Sequence, residues 1–197
     1  MYLKDIIRGG YRMNAKVDIS NVTLETERLI LRPWKDSDAA DLYAYASVDG
    51  VGQMAGWNPH KSLEESKNIL QMFRNGKNEF ALELKENHKV IGSLGLEKYN
   101  SQLDEEFYAE NKGREIGYVI SKEYWGQGLA AEATKRVIQY CFEEQKYDFL
   151  ACEHFVSNLQ SQRVIEKCGF RFLKEIQGRI HHSKMYTLSK NEWEKFL

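Results

Sequence analysis

Two glycines spaced two apart, Gly126 and Gly128 in "YWGQGLAAEA" (residues 124–133), carry the clearest chemical signal in this chain. They stand just before an apolar, alanine-rich run. Glycines so placed let the backbone approach a bound group closely. Amides at a helix start have no intrahelical partner, and the helix dipole adds about half a positive charge there. An anion such as a pyrophosphate can rest on such amides. The same glycines also suit a plain strand-to-helix turn.

Two other phosphate loops fit less well. Gly126-x-Gly128-x-x-Ala131 satisfies the permissive dinucleotide fingerprint, which accepts alanine third. That fingerprint belongs at the first turn of repeated βαβ units, whereas the strands before Gly126 read as an antiparallel meander. It also wants an acidic residue closing the next strand, about 20 residues on. Asp148 precedes that strand and Glu153 lies inside it. No Gly-Lys-Ser/Thr follows, so a P-loop is excluded. Cys141, Cys152 and Cys168 are odd in number and irregularly spaced. They predict buried reduced thiols rather than a disulfide framework. Cys152-x-His154 is too sparse for a zinc site, which needs four ligands, and no metal is expected.

The elements that must hold these residues follow from periodicity. "TERLILRPW" (26–34) predicts a strand, and "DSDAADLYAYAS" (36–47) a helix. "SLEESKNILQMFRNG" (62–76) opens on a Ser62/Glu65 capping box and stops at Gly76, with Ile69, Leu70, Met72 and Phe73 as its buried face. Strands at 79–85 and 89–98 form a hairpin through "ENHK". Residues 99–113 are a long acidic loop. A strand at 114–121, a helix over 129–145, a strand at 149–157 and a short helix at 158–170 follow. "RFLKEI" and "HHSKMYTLS" close the chain as a hairpin. In the helix over 129–145, Leu129, Ala133, Val137, Tyr140 and Cys141 share the buried side.

Composition bounds the partners. Lys plus Arg number 28 and Asp plus Glu 29, a net charge of −1, whereas a general nucleic-acid binder shows a basic excess. No run approaches the roughly 18 apolar residues of a membrane span. The N-terminus lacks the apolar core of a signal peptide. A reducing, cytoplasmic setting is expected, with neither nucleic acid nor membrane as partner. Residues 1–22, with Lys4, Arg8, Arg12 and Lys16 every four residues and Gly9-Gly10 between, read as a flexible extension. Residues 23–197 read as one domain, and Met13 is an alternative start.

The order of these segments, with "REIGYVIS", "YWGQGLAAEA" and "N-x-x-S-x-R-V-I-E-K-C-G-F" in sequence, resembles the GNAT superfamily of acyl-CoA N-acyltransferases. "ERLILRPW" and "EKCGF" resemble its RimJ/RimL-like branch of ribosomal-protein N-terminal acetyltransferases. The resemblance covers about residues 24–190. It implies an α/β (α+β) fold, with a mixed, mostly antiparallel central sheet that contains a splayed strand pair and is flanked by helices. It implies acetyl-CoA as acyl donor and direct transfer to a primary amine, either a peptide N-terminus or a small molecule, by a monomer or homodimer. One departure stands out: the superfamily loop often begins with Gln or Arg, where this chain has Trp125.

The resemblance also implies site residues. The amides of Gln127, Gly128, Leu129, Ala130 and Ala131 would take the pyrophosphate. Tyr118, Val119, Ile120 and Ser121 would pair with the pantetheine arm where their strand parts from the next, and Gly117 suggests a bulge or close approach there. Asn158 and Ser161 would face the pantetheine and the leaving sulfur, although Ser157-x-x-Gln160 also makes a capping box and Asn158 a good N-cap. The tyrosine acid of many members is replaced by Ile165. Glu115 is the expected base, passing the amine's proton through water, though an exposed, ion-paired Glu fits the sequence too. Arg163 is either a 3′-phosphate contact or, with Lys167, a solvated helix face. Trp57 and His60 would line the acceptor groove, or simply pack a turn. An α-amine titrates near 8 and a lysine near 10.4, and the difference of about 2.4 units is roughly 3.3 kcal/mol. A site without a strong base therefore leans to an α-amine. The alternatives at this stage are a non-catalytic acyl-CoA sensor on the same fold and a dinucleotide-binding oxidoreductase.

Overall fold

The computed structural model describes residues 14–99, 111–177 and 182–196. The first thirteen residues of the expected extension, and residues 100–110 of the expected acidic loop, lie outside the described residues. In chain order the elements are β1 (Leu24–Glu25), β2 (Leu29–Pro33), α1 (Ala39–Ala46), α2 (Leu63–Gly76), β3 (Glu79–Leu84), β4 (Val90–Glu97) and β5 (Gly113–Ile120). They continue as α3 (Leu129–Gln139), β6 (Phe149–Phe155), α4 (Leu159–Lys167), β7 (Arg171–Gln177), β8 (His182–Ser189) and α5 (Lys190–Phe196). A π-helical turn, Tyr140–Glu144, prolongs α3.

In hydrogen-bond order the strands run β1-β2-β3-β4-β5 and β5-β6-β8-β7, with β5 common to both series. The ladders of β1 to β4 and of β6 to β8 are antiparallel. The β5–β6 ladder is parallel and covers only Gly113–Glu115 against Phe149–Ala151. Both strands continue past that ladder, to Ile120 and Phe155. This is the mixed, mostly antiparallel α/β sheet that the sequence suggested.

Contacts group the described residues into two compact units, Val17–Gly95 with Gly117–Val137, and residues 14–16 with the described parts of 96–116 and 138–197. In the first, Trp34, Leu42, Tyr45, Ala46, Leu70 and Val90 form an apolar core. Beside them runs a buried ionic group. The Arg32 guanidinium donates to Glu83 at 2.5 Å and to both Asp38 oxygens at 2.8 and 3.0 Å. α2 begins as its sequence requires, with Ser62 Oγ accepting from the Glu65 amide at 3.2 Å. The return bond of the box comes from the Lys61 amide to Glu65, one residue earlier than expected. Lys77, in the left-handed region, ends the helix one residue past the predicted stop. Met72, predicted buried, is 65% exposed, because it lies two residues, or 200°, around the helix from buried Leu70.

In the second unit Tyr99, Phe149, Ala151, Ile176 and Met185 form a further core, and Trp193 of α5 packs on Phe142 at 5.3 Å. α5 was not anticipated. Its start is a reciprocal capping box: Ser189 N–H and Oγ donate to Glu192, and the Glu192 amide donates back to Ser189 Oγ. Residues 14–16 attach to β5, since the Ala15 amide donates to Gly113 O and Arg114 Nε donates to Ala15 O. Within the first unit, Ile19 is buried and its amide donates to Lys77 O. All three cysteines are buried thiols outside any disulfide, as expected.

Candidate active site

The glycine loop belongs to the first unit and is built from β5 onward. After Ile120 the chain makes a 3-10 turn at Lys122–Tyr124 and enters α3 at Leu129. Gly126 and Gly128 both lie in the left-handed region, with φ of 77° and 81°. Side chains rarely adopt that conformation, so the glycines are required by backbone geometry. Gly126, Gln127 and Gly128 are exposed. The first helical bond of α3 runs from the Glu132 amide to Gly128 O. Among the described residues, the amides of Gly128, Leu129 and Ala130 donate to no backbone carbonyl. A diphosphate would find there an exposed loop, a helix start and glycines that crowd nothing.

Trp125, the departure from the superfamily loop, is anchored in the first unit. Its indole packs on the first unit's core, and Nε1 donates to Ile120 O at 2.7 Å. Gln127 Nε2 donates to Glu123 O at 3.2 Å. On the opposite flank, Arg28 Nη1 donates to Gln127 O at 3.1 Å and Nε donates to Glu132 at 2.7 Å. Burial alone would push the Glu132 carboxyl up, but hydrogen bonds from Thr26 and Arg28 hold it below its ordinary value. The segment "TERLILRPW" marked a strand and a resemblance in the sequence, but not this tie.

Ile120 and Ser121 are buried, Tyr118 and Val119 half-buried, and Gly117 exposed. The close backbone approach expected at Gly117 occurs instead at Gly92. A Cβ on Gly92 would stand 2.2 Å from Val119 O, while one on Gly117 would meet nothing within 4 Å. Ser121 also lines a cavity of about 270 Å³ with Asp41, Tyr45, Val48, Val90 and Lys122. Trp57 and His60 form a packed turn. Their rings meet at 5.2 Å, tilted by 45°, and the buried His60 shares a 2.8 Å hydrogen bond between Nδ1 and Ser66 Oγ. Burial keeps that imidazole below its ordinary pKa.

The second unit holds Glu115, Asn158 and Ser161. Glu115 is half-buried and pairs in register with Ala151. Burial, followed by the charge of Glu115, pushes the Cys152 thiol well up. The α4 cap is Asn158, whose Oδ1 accepts from the Ser161 amide at 3.0 Å. The cap is thus Asn158 rather than Ser157. Ser161 is half-buried on the first turn of α4, and Arg163 is exposed. Ile165 is fully buried, so the position that carries a tyrosine in many members is here a core residue. Sequence reading missed Tyr186, whose hydroxyl hydrogen-bonds Glu166. Burial, and then Glu166, raise that phenol.

Residues 28–171 match the acetyltransferase (GNAT) domain family, and the chain belongs to it. The uncharacterized N-acetyltransferase p20 of Bacillus licheniformis is 28% identical over 182 residues, covering 87% of this chain and 98% of that protein. The uncharacterized N-acetyltransferase YoaA of Bacillus subtilis is 29% identical over 153 residues, covering 75% and 82%. Among solved structures, a GNAT-family acetyltransferase from Bacillus anthracis superposes with a TM-score of 0.75 at 22% identity, covering 86% of this chain and 99% of that one. The protein is therefore an acetyl-transferring enzyme of the GNAT family.

Proposed function

We propose that the enzyme draws its acetyl group from acetyl-CoA and passes it directly to a primary amine, without a covalent enzyme intermediate. The observation that carries this reading is the exposed loop at Gly126–Gly128, with left-handed glycines just before the head of α3 and, among the described residues, amides at Gly128, Leu129 and Ala130 that donate to no backbone carbonyl. In this reading the amides of Gln127 to Ala131 hold the diphosphate, and Tyr118 to Ser121 guide the pantetheine arm. The thioester supplies an activated acyl carbon and a thiolate leaving group. Glu115, half-buried on β5, takes the proton of the attacking amine through water. Asn158 orders the first turn of α4, and Ser161 there offers a hydroxyl to the departing sulfur. Proton balance is simple: the amine loses one proton and the thiolate gains one.

The acceptor we propose is a peptide α-amine. A carboxylate base such as Glu115, acting through water, suits an amine of lowered pKa. The fold itself does not choose. A ribosomal-protein-S5-alanine acetyltransferase from Vibrio fischeri has a TM-score of 0.66 at 21% identity over 88% of this chain and 99% of its own. A chimera of spermidine N-acetyltransferase SpeG from Vibrio cholerae and hSSAT has 0.65 at 19%, over 84% and 98%. The enzyme is proposed to act in the cytoplasm. The deciding assay follows free thiol release from acetyl-CoA with peptide N-termini, polyamines and aminoglycosides as acceptors. Release with peptides is expected. Tight CoA binding with no release above background for any amine would overturn the reading.

A further inference from the structure

We infer that Arg28 is the positioning residue of the phosphate-binding loop, aiming one of its amides and cancelling the negative charge beside it. The inference rests on the acetyl-CoA reading and assigns a task to a residue 104 positions from its partner. Arg28 makes four contacts. Its amide donates to Glu132 Oε1 at 2.9 Å and Nε donates to Oε2 at 2.7 Å. Nη2 stands 2.6 Å from Oε2, and Nη1 donates to Gln127 O at 3.1 Å.

The last bond matters most. A trans peptide is planar, with its C=O and N–H pointing in opposite directions, and no cis peptide occurs among the described residues. Holding Gln127 O toward Arg28 therefore turns the Gly128 N–H the other way, to the side where no backbone carbonyl takes it. Glu132 sets the second task. Its carboxylate lies in the first turn of α3, where an anion favours the helix but repels a second anion. The Arg28 guanidinium cancels that charge. It remains 44% exposed, and its Nη2 lies 3.8 Å from where a Cβ of Gly128 would stand. The cation thus sits against the loop.

Calorimetric CoA binding by Arg28→Ala, Arg28→Lys and the double variant Arg28→Ala/Glu132→Gln tests this. Arg28→Ala should raise the Kd for CoA about tenfold or more. Arg28→Lys, which keeps the charge but not the fork, should fall between. The double variant should bind better than Arg28→Ala, because the uncancelled carboxylate is gone. With S-acetyl-pantetheine, which has no phosphate, kcat/KM should stay within about twofold of wild type in all three. A CoA Kd unchanged in Arg28→Ala, or an equal loss with both donors, would overturn the inference. Wild-type protein that binds CoA no better than pantetheine would overturn it together with the acetyl-CoA reading.

Discussion

Gly128 shows how one backbone angle constrains a residue. At φ 81° a branched side chain is a conformational outlier. Gly128→Val should raise the acetyl-CoA Kd about tenfold or more, at about 1–2 kcal/mol of strain. Titration calorimetry would show it, and unchanged affinity would remove the loop from the binding site. Gly117→Ala provides the contrast, because its Cβ meets nothing within 4 Å. Its stability should stay within about 0.5 kcal/mol of wild type. For Ser161→Ala we expect kcat to fall more than CoA affinity. If kcat is unchanged, Ser161 has no part in the reaction. At this scale the sequence disclosed residue types, not partners. Gly126 and Gly128 were legible because a two-residue spacing needs no knowledge of the fold. Arg28 and Glu132 were not, because a tie across 104 positions leaves no local pattern.

Among the elements, the strands and longer helices were readable because burial imposes periods of 2 and 3.6 on the chain. Leu129, Ala133, Val137, Tyr140 and Cys141 are all buried, as that period requires. Readings went astray where one position carries two signals. Met72 is apolar yet exposed. Ser157 and Asn158 are both capping types, and the hydrogen bond chose Asn158. Gly92 looked like any strand glycine, although its Cα faces the Val119 carbonyl. Gly92→Ala should therefore cost about 3 kcal/mol, read as a lowered denaturant midpoint. A midpoint equal to wild type would show that β4 and β5 can part at no cost.

At the scale of the whole molecule, stability should depend on acid through the Arg32 group. Burial alone would raise Glu83, but hydrogen bonds from His88 and Arg32, with the charges of Arg32 and Lys35, hold it below 4.5. A carboxyl with a depressed folded pKa contributes stability above its unfolded value and loses it as pH falls. Unfolding free energy should therefore drop as pH goes below about 4.5. In Glu83→Gln that fall should be shallower, and equal slopes would refute the assignment. Arg32→Met leaves two buried carboxylates without their cation and should cost about 3–5 kcal/mol at neutral pH. The sheet's mixed character, with a splayed strand pair, was expected from the resemblance to the GNAT superfamily rather than from residue periodicity. The residues alone did not give the point where β5 and β6 stop pairing, after Glu115 and Ala151.

The buried cysteines have a practical consequence. Cys141, Cys152 and Cys168 all lie in the unit that includes Ile138–Leu197, whereas Trp34, Trp57 and Trp125 lie in the other. A thiol reagent such as a disulfide chromophore can therefore reach its targets only when that one unit opens. Its labelling rate is a clock for that opening, while indole fluorescence at rising denaturant reports chiefly on the other unit. Coincident transitions would mean that the enzyme unfolds as one cooperative body, and separate ones that its halves come apart in turn.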